Sequence, residues 1–437
     1  MNKYDTYKDS GIEWIGEIPS HWEVKKVNYC FEQIGSGTTP TAGKPEYYEN
    51  GQFNWLQTGD LNDADISETS KKITQKALND YSTLRFYQKD SLVIAMYGAT
   101  IGKTGLLNIE TTTNQACCVL SKPKGINHRF AFYWLNYVKP HVISLSYGGG
   151  QPNINQEQIR SLKIQCPTLE EQTAIAAYLD RKTAEIDELI ADKKRLLELY
   201  EEEKTGIINQ AVTKGINPDV PMKDSGIEWL GEIPEHWEVK RLKTIARVQT
   251  GRTPKIQNSK IDFFENGEIN WFTPSDFNGN TELTESKRKL IFEAFETGEV
   301  ELFPENSIYL VSIGATLGKV SFFRDKASAN QQINIIIFSQ AFSPIFGYYF
   351  LVGNKEMITL EADYTTLPIL NQSKTKSLSF AVPPIQEQQS IVRHIETECA
   401  RIDAKKSKTE KLIALLTEYR TALISEVVTG KVKVIDQ

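Results

Sequence analysis

The chain is poor in the residues that most often carry chemistry: its 437 residues include only five cysteines, five histidines and four methionines. None of Cys30, Cys117, Cys118, Cys166 and Cys399 falls in a C-x-x-C pair. A disulfide framework, a zinc site and any other metal site are therefore not indicated, and buried free thiols are expected. No uninterrupted apolar run approaches the roughly 18–20 residues that would cross a bilayer. The opening MNKYDTYKDSG has no apolar stretch of signal-peptide type, so a cytoplasmic protein without membrane contact is expected. An overall basic charge is missing too, with 50 Lys and Arg against 56 Asp and Glu for a net charge of −6. The acid is concentrated, however: Leu169 to Lys204 alone holds 11 Asp/Glu against 6 Lys/Arg. The remainder is near neutral, with basic clusters that can set a local field. These are Lys71-Lys72 with Lys76, Arg252 with Lys255 and Lys260, and Lys287-Arg288-Lys289.

What the chain does have is a duplication. Asp9 to Val27, DSGIEWIGEIPSHWEVKKV, returns from Asp224 to Leu242 as DSGIEWLGEIPEHWEVKRL, with 15 of 19 positions identical. The repeat continues at an offset that settles to 216 residues. Asn54-Trp55 returns as Asn270-Trp271, Asp60 as Asp276, Gly98 to Lys103 as Gly314 to Lys319, Asn114-Gln115 as Asn330-Gln331, and Glu171-Gln172 as Glu387-Gln388. Between these anchors the halves differ: TTTNQACCVL stands at Thr111 to Leu120 where ASANQQINII stands at Ala327 to Ile336. A kept frame with varied filling suggests two similar domains that offer different surfaces, and a repeat of this size decides the architecture. Each half of about 215 residues is large enough to bury its own core.

Within a half, short apolar runs alternate with turn residues. Ser91 to Met96 and Ala116 to Leu120 read as buried strands, Gly35 to Pro40 and Gly148 to Asn153 as loops, and Arg129 to Val138 as a helix. The mixture is α/β (α+β). After Pro167 the pattern changes to a helical period, with Ile175, Leu179, Ile186, Leu189, Leu196 and Tyr200 at spacings of three, four or seven. Ile391, Ile395, Ile402, Leu412, Leu416 and Leu423 repeat that seam in the second half. The expected layout is a domain at 1–167, a long helix at 168–213, a second domain at 214–383 and a second long helix at 384–437. Antiparallel, coiled-coil-like pairing of the two helices through their seams would then separate the domains, with an approximate two-fold relation between the halves.

Together these residues resemble the specificity subunit of a type I restriction-modification system, over essentially the whole chain. The motifs that carry the resemblance are the E-W-[IL]-G-E-I-P-x-H-W-E-V openings and the G-x-T-P turns at Gly37 to Pro40 and Gly251 to Pro254. The G-A-T-x-G-K turns and the P-[TP]-[LI]-x-E-Q starts of the two helices complete the set. The resemblance implies two target-recognition domains, each reading one half-site of a bipartite double-stranded DNA target. It also implies a subunit that does no chemistry and takes no cofactor. Two adenine-N6 methyltransferase subunits and the restriction and translocase subunits would dock on it.

Catalytic readings fail on the residues themselves. The G-A-T-x-G-K turn has three residues between its glycines where a phosphate loop needs four, and its second copy ends in Val320. Val382-Pro383-Pro384-Ile385 lacks the amide and the aromatic of an adenine methyltransferase tetrad. Asp276 with Glu285 could begin a nuclease site, but Asp60 has Thr69 in the matching place. A fused restriction enzyme is thereby disfavoured. A coiled-coil scaffold without DNA would leave two large, diverged domains without a task. His21-Trp22 and His236-Trp237 are expected to pack on the domain surface, and the duplicated Asn-Gln pairs are expected to be structural, because readers of different half-sites should differ. Phosphate and base contacts are expected from Thr39, Lys44, Gln57, Lys71, Lys72 and Lys103 in the first half. Arg252, Lys255, Ser275, Lys287, Arg288 and Lys319 are the candidates in the second.

Overall fold

The computed structural model describes residues 3–146, 153–255, 262–279, 281–364 and 367–434. Lys260 and all but the last residue of the expected loop at Gly148 to Asn153 lie outside them. The chain divides into two compact units, Met1–Lys193 with Lys411–Gln437, and Lys194–Glu410. Both boundaries fall inside long helices, so each unit takes the head of one helix and the tail of the other.

In the first unit a five-stranded sheet runs in the order Phe31–Gly35, Cys117–Pro123, Leu92–Ala95, Thr104–Leu107, Ala64–Ile66. Its neighbours are antiparallel except the last pair. Both faces are covered, which explains why SLVIAM is apolar throughout rather than alternating. Leu92 and Ile94 point into a core with Trp134 and Val138 of the helix His128–Ser144. Val93 and Ala95 point to the other side, with Leu56, Leu107 and Tyr87. A smaller sheet has Phe53–Leu56 at its centre, parallel to Thr112–Thr113 and antiparallel to Lys72–Ile73.

The second unit repeats this plan. Ala246–Thr250, Ile333–Phe338, Ser307–Val311 and Val320–Phe323 form an antiparallel sheet in that order. Among the described residues, the place of the fifth strand holds one bridge, from Glu282 to Phe322. Ile308 and Leu310 face one core, and Tyr309 and Val311 the other. Its small sheet centres on Ile269–Phe272, between Lys289–Leu290 and Ser328–Ala329. Sheet and helix are mixed in both halves, as the α/β (α+β) expectation has it. All five cysteines are buried and unbridged, and burial pushes the Cys118 thiol up to about 12.

The long helices are Leu169–Lys214 and Ile385–Val428, of 46 and 44 residues. At 1.5 Å per residue each is about 65–70 Å long. The first starts on a capping box, in which Glu171 N donates to Thr168 Oγ1 at 3.2 Å and Thr168 N donates back to Glu171 Oε2 at 3.2 Å. Left-handed glycines, Gly215 and Gly430, close the two helices. Within each unit the helices run antiparallel. Arg420 meets Asp187 at 3.1 Å in the first unit, and in the second Lys204 meets Asp403 at 2.9 Å and Lys406 meets Glu201 at 2.5 Å. No helix among the described residues is long and apolar enough to cross a membrane.

Two expectations need correction. The seam does not serve helix pairing alone, because Ile175, Leu179 and Ile186, with Leu423 and Val427, enter the first domain's own core. Ile391 and Ile395 enter the second with Ile208 and Val212. Ile402 is buried, but Leu196 is half-buried and Leu412 is 40% exposed. The apolar stripe thins there because these mid-helix residues no longer have a domain core beneath them. The second correction concerns the tryptophans. Trp22 and Trp237 are fully buried rather than on the surface. Trp237 Nε1 donates to Glu387 Oε1 at 3.1 Å and His236 Nε2 lies 2.7 Å from Oε2; Trp22 and His21 make the same pair of contacts with Glu171, at 3.4 and 2.9 Å. The glycines that end the helices sit on these rings. A Cβ on Gly430 would lie 2.9 Å from Trp22, and one on Gly215 3.3 Å from Trp237. Each repeated H-W box thus locks the start of one long helix to the end of the other.

Candidate nucleic-acid interface

Trp55 sits buried in the centre of the first small sheet, and its Nε1 donates to Thr38 O at 3.1 Å, which pins the G-x-T-P loop. That loop passes so close to the strand at Thr113 that a Cβ on Gly37 would lie 1.8 Å from Thr113 O, so glycine is required. Thr39 Oγ1 donates to Gln115 Oε1 at 2.6 Å. Beyond Trp55 the chain turns through Thr58–Asp60, where Asp60 accepts from Gln57 N at 2.8 Å and Ser70 N at 3.1 Å. These ties bring Thr39, Gln57, Lys71 and Lys72 together with Tyr48, Trp55 and Ser70 around a cavity of about 590 Å³.

The second unit builds the same frame. Trp271 Nε1 donates to Arg252 O at 3.1 Å, Thr253 Oγ1 to Gln331 Oε1 at 2.6 Å, and a Cβ on Gly251 would lie 2.3 Å from Asn330 O. Asp276 accepts from Thr273 N at 2.7 Å and Lys287 N at 3.0 Å. The repeated aspartate is therefore a backbone pin, which gives both copies a structural task. The Asn-Gln pairs are structural as well, since Asn114 Oδ1 accepts from Ala116 N at 3.1 Å and Asn330 Oδ1 from Gln332 N at 3.0 Å.

Strand register moves one correspondence. Asn54 pairs with Lys72 and Asn270 with Lys289, so Lys71 corresponds to Arg288 and Ser70 to Lys287, one residue beyond the offset of 216. Two contacts agree: Trp55 N donates to Lys71 O at 3.1 Å, and Trp271 N to Arg288 O at 3.2 Å. The second half carries one additional residue between the aspartate and this strand, and sequence spacing alone puts Thr69 opposite Glu285.

The other candidates are dispersed. Lys44 is exposed, its Nζ 5.6 Å from the Tyr47 ring. Lys76 belongs to its sequence cluster but pairs with Asp80 at 2.8 Å, and that hydrogen bond raises its pKa. Lys103 and Lys319 follow glycines of positive φ, Gly102 and Gly318, in the turns that join two sheet strands. Strand follows these turns where a phosphate loop would have a helix. Lys319 Nζ donates to Phe277 O at 3.1 Å. Arg252 is exposed on the pinned loop, and Lys255 N donates to Glu299 at 3.1 Å. Ser275 Oγ lies 2.9 Å from Thr273 Oγ1, and Ser275 O accepts from Lys287 Nζ at 3.2 Å. Arg288 stands over the Phe264 ring, 3.5 Å from its centroid, with Trp271 at 5.5 Å. Sequence reading missed the aromatic support at Phe264, although the match of Tyr48 to Phe264 in the repeat was a usable signal.

Comparison with known proteins agrees with this duplicated plan. The family described as type I restriction modification DNA specificity domain matches twice, at residues 19–199 and 234–414. The type I restriction enzyme MjaIX specificity subunit of Methanocaldococcus jannaschii is 27% identical, over 96% of this chain and 95% of its own length. The EcoR124I/EcoR124II specificity subunit of Escherichia coli is 26% identical over 61% of this chain and 62% of its own. Among solved structures, a chain from work on complex assembly and conformational transition of the type I R-M system has a TM-score of 0.70 at 13% identity, covering 95% of this chain and 99% of that one. The HsdS subunit of Thermoanaerobacter tengcongensis gives a TM-score of 0.55 at 14% identity, over 95% and 98%.

Proposed function

The chain belongs to the type I restriction-modification DNA specificity family, and on that premise we propose that it reads a split double-stranded DNA target, one half-site per domain, without catalysing a reaction itself. The reading domains are 1–167 and 214–383, and the long helices Leu169–Lys214 and Ile385–Val428, the second ending short of the expected 437, act as spacers. In the cytoplasm the helices and their flanks dock two methyltransferase subunits and the restriction and translocase subunits, which supply the chemistry.

One observation carries this reading. The repeated Trp, Asp and G-x-T-P frame is shared by both halves, yet it holds Lys71 and Gln57 in one where it holds Arg288 and Thr273 in the other. Shared residues shape the loop, and differing residues are left to specify bases. Thr39, Lys44, Gln57, Lys71, Lys72 and Lys103 make the DNA contacts of the first domain. Arg252, Lys255, Ser275, Lys287, Arg288 and Lys319 make those of the second. The lysines other than Lys71 contact phosphates, so binding weakens steeply with salt.

The test is reconstitution. The purified chain alone is expected to show no methyl transfer, nuclease or ATPase activity. Addition of separately expressed methyltransferase subunits and S-adenosylmethionine should switch on adenine modification at one split motif, mapped by modified-base sequencing of plasmid DNA. Turnover by the chain alone, or methylation without a split motif, would overturn the reading.

A further inference from the structure

In the second unit the guanidinium of Arg288 lies 3.5 Å from the Phe264 ring centroid, a distance met by face-to-face stacking. Stacking covers a face of the group and leaves its in-plane N–H edges uncovered. Arg288 is exposed, and its nitrogens have no carboxylate or carbonyl partner among the described residues. Its backbone is held as firmly: Arg288 O accepts from Trp271 N at 3.2 Å and from Ser286 Oγ at 2.6 Å. The neighbouring cations have protein partners where the Arg288 guanidinium has a ring, Lys287 with Ser275 O at 3.2 Å and Lys289 with Glu285 at 2.7 Å.

A free arginine surrenders much rotamer freedom when it binds, and this one is already held in a plane. Two phosphate oxygens also accept a guanidinium fork, but a phosphate contact is met equally by a mobile ammonium and does not call for a plane fixed in advance. A fork held edge-outward on a strand-anchored residue matches two coplanar acceptors on a rigid edge. In duplex DNA the major-groove edge of guanine offers that pair, O6 and N7. The first unit places Lys71 at the same position, its carbonyl taken by Trp55 N at 3.1 Å and Thr69 Oγ1 at 2.8 Å. Lysine there brings a point charge without a fork, so the frame aims different chemistry at each half-site.

We infer that Arg288 is a specificity-determining residue of the second domain, pairing its guanidinium with O6 and N7 of one guanine in the major groove, and that Phe264 is its positioning residue. This rests on the DNA-reading function proposed above.

The experiment uses the full chain in complex with its methyltransferase subunits. The motif is selected from a randomised duplex pool, which reads preference even where affinity falls. The second half-site is taken as the one that changes when residues 214–383 are exchanged for those of a relative. Wild type should require a guanine at one position of it. R288A should reduce discrimination for that guanine about 5- to 150-fold and leave every other position as it was. R288K should bind with a similar salt dependence but a weakened preference, and F264L should broaden the same position alone. Replacing that guanine with 7-deazaguanine removes N7 and should weaken wild type but not R288A. Inosine, which keeps both acceptors, should leave wild type unchanged. Thermal melts of the variants confirm that they are folded, which an exposed side chain should permit. A second half-site without guanine would overturn the assignment, as would an unchanged motif in R288A. Uniform weakening of all sequences by R288A, with a shallower salt slope, would make Arg288 a phosphate contact instead. A wild-type complex that selects no split motif is a separate failure, of the DNA-reading function itself.

Discussion

Glu171 receives His21, Trp22 Nε1 and the Thr168 backbone on one carboxylate. Burial works against its charge, but the hydrogen bonds from His21 and Thr168 outweigh burial and hold the carboxyl below its ordinary value. The folded pKa is thus lower than the unfolded one. The carboxylate's contribution to stability is complete above the usual carboxylate range, about 4.3, and is lost as pH falls through the depressed folded value. E171Q should therefore cost about 1–3 kcal/mol at neutral pH and flatten the loss of thermal midpoint below about pH 5. A variant as acid-sensitive as wild type would show that the carboxylate is not what couples this unit to pH. At this scale the sequence was partly legible. The Asn-Gln pairs could be read as structural because both halves keep them. The task of the H-W box could not be read, because its glutamate lies about 150 residues away on the motif that starts the helix. The match of Lys71 to Arg288 was hidden by the one additional residue after Asp276.

The long helices join two kinds of contact with different energies. Ile395 is fully buried against the second core, whereas Lys406 and Glu201 form an ion pair with both side chains at least a third exposed. Exposed pairs contribute up to about 1 kcal/mol, because water and salt screen them. Removing buried methyl and methylene groups costs about 2–5 kcal/mol through lost transfer energy and a cavity. I395A should thus lower the denaturant midpoint of the chain strongly, while K406A should move it little and less still in high salt. The reverse order would mean that charge holds the helices together. The period of the seam made the helices legible, and their ends are where it works best, at Ile175, Leu179, Ile391 and Ile395. In the middle it misleads: Leu412 keeps the spacing but has no core beneath it. Strands such as Leu92–Ala95 were legible as buried because both faces are covered. Their order was not, since pairing partners such as Phe31–Gly35 and Cys117–Pro123 lie far apart in sequence and local pattern carries no information on who pairs with whom.

The duplication in the chain and the division of the molecule are out of phase. One unit, Lys194–Glu410, is a continuous stretch, while the other needs Met1–Lys193 together with the tail from Lys411. That tail is not peripheral. Leu423, Ile424, Val427 and Val428 are all buried in the first core, Gln165 Nε2 donates to Val428 O at 2.9 Å, and Tyr7 Oη donates to Gly430 O at 3.2 Å. Burying four aliphatic side chains at about 1.5–3 kcal/mol each contributes roughly 6–12 kcal/mol, comparable to the whole stability of a typical domain at about 5–15 kcal/mol. The two fragments should therefore behave unequally. Lys194–Glu410 expressed alone carries its whole core, with Ile208 and Val212 from one helix and Ile391 and Ile395 from the other, and should unfold in one cooperative transition by circular dichroism. Met1–Lys193 alone should aggregate or bind a hydrophobic dye, and a synthetic peptide of residues 411–434 added during refolding should restore its near-ultraviolet signal. If the shorter fragment folded as well without the peptide, the tail's burial would be a consequence of the fold rather than a condition for it.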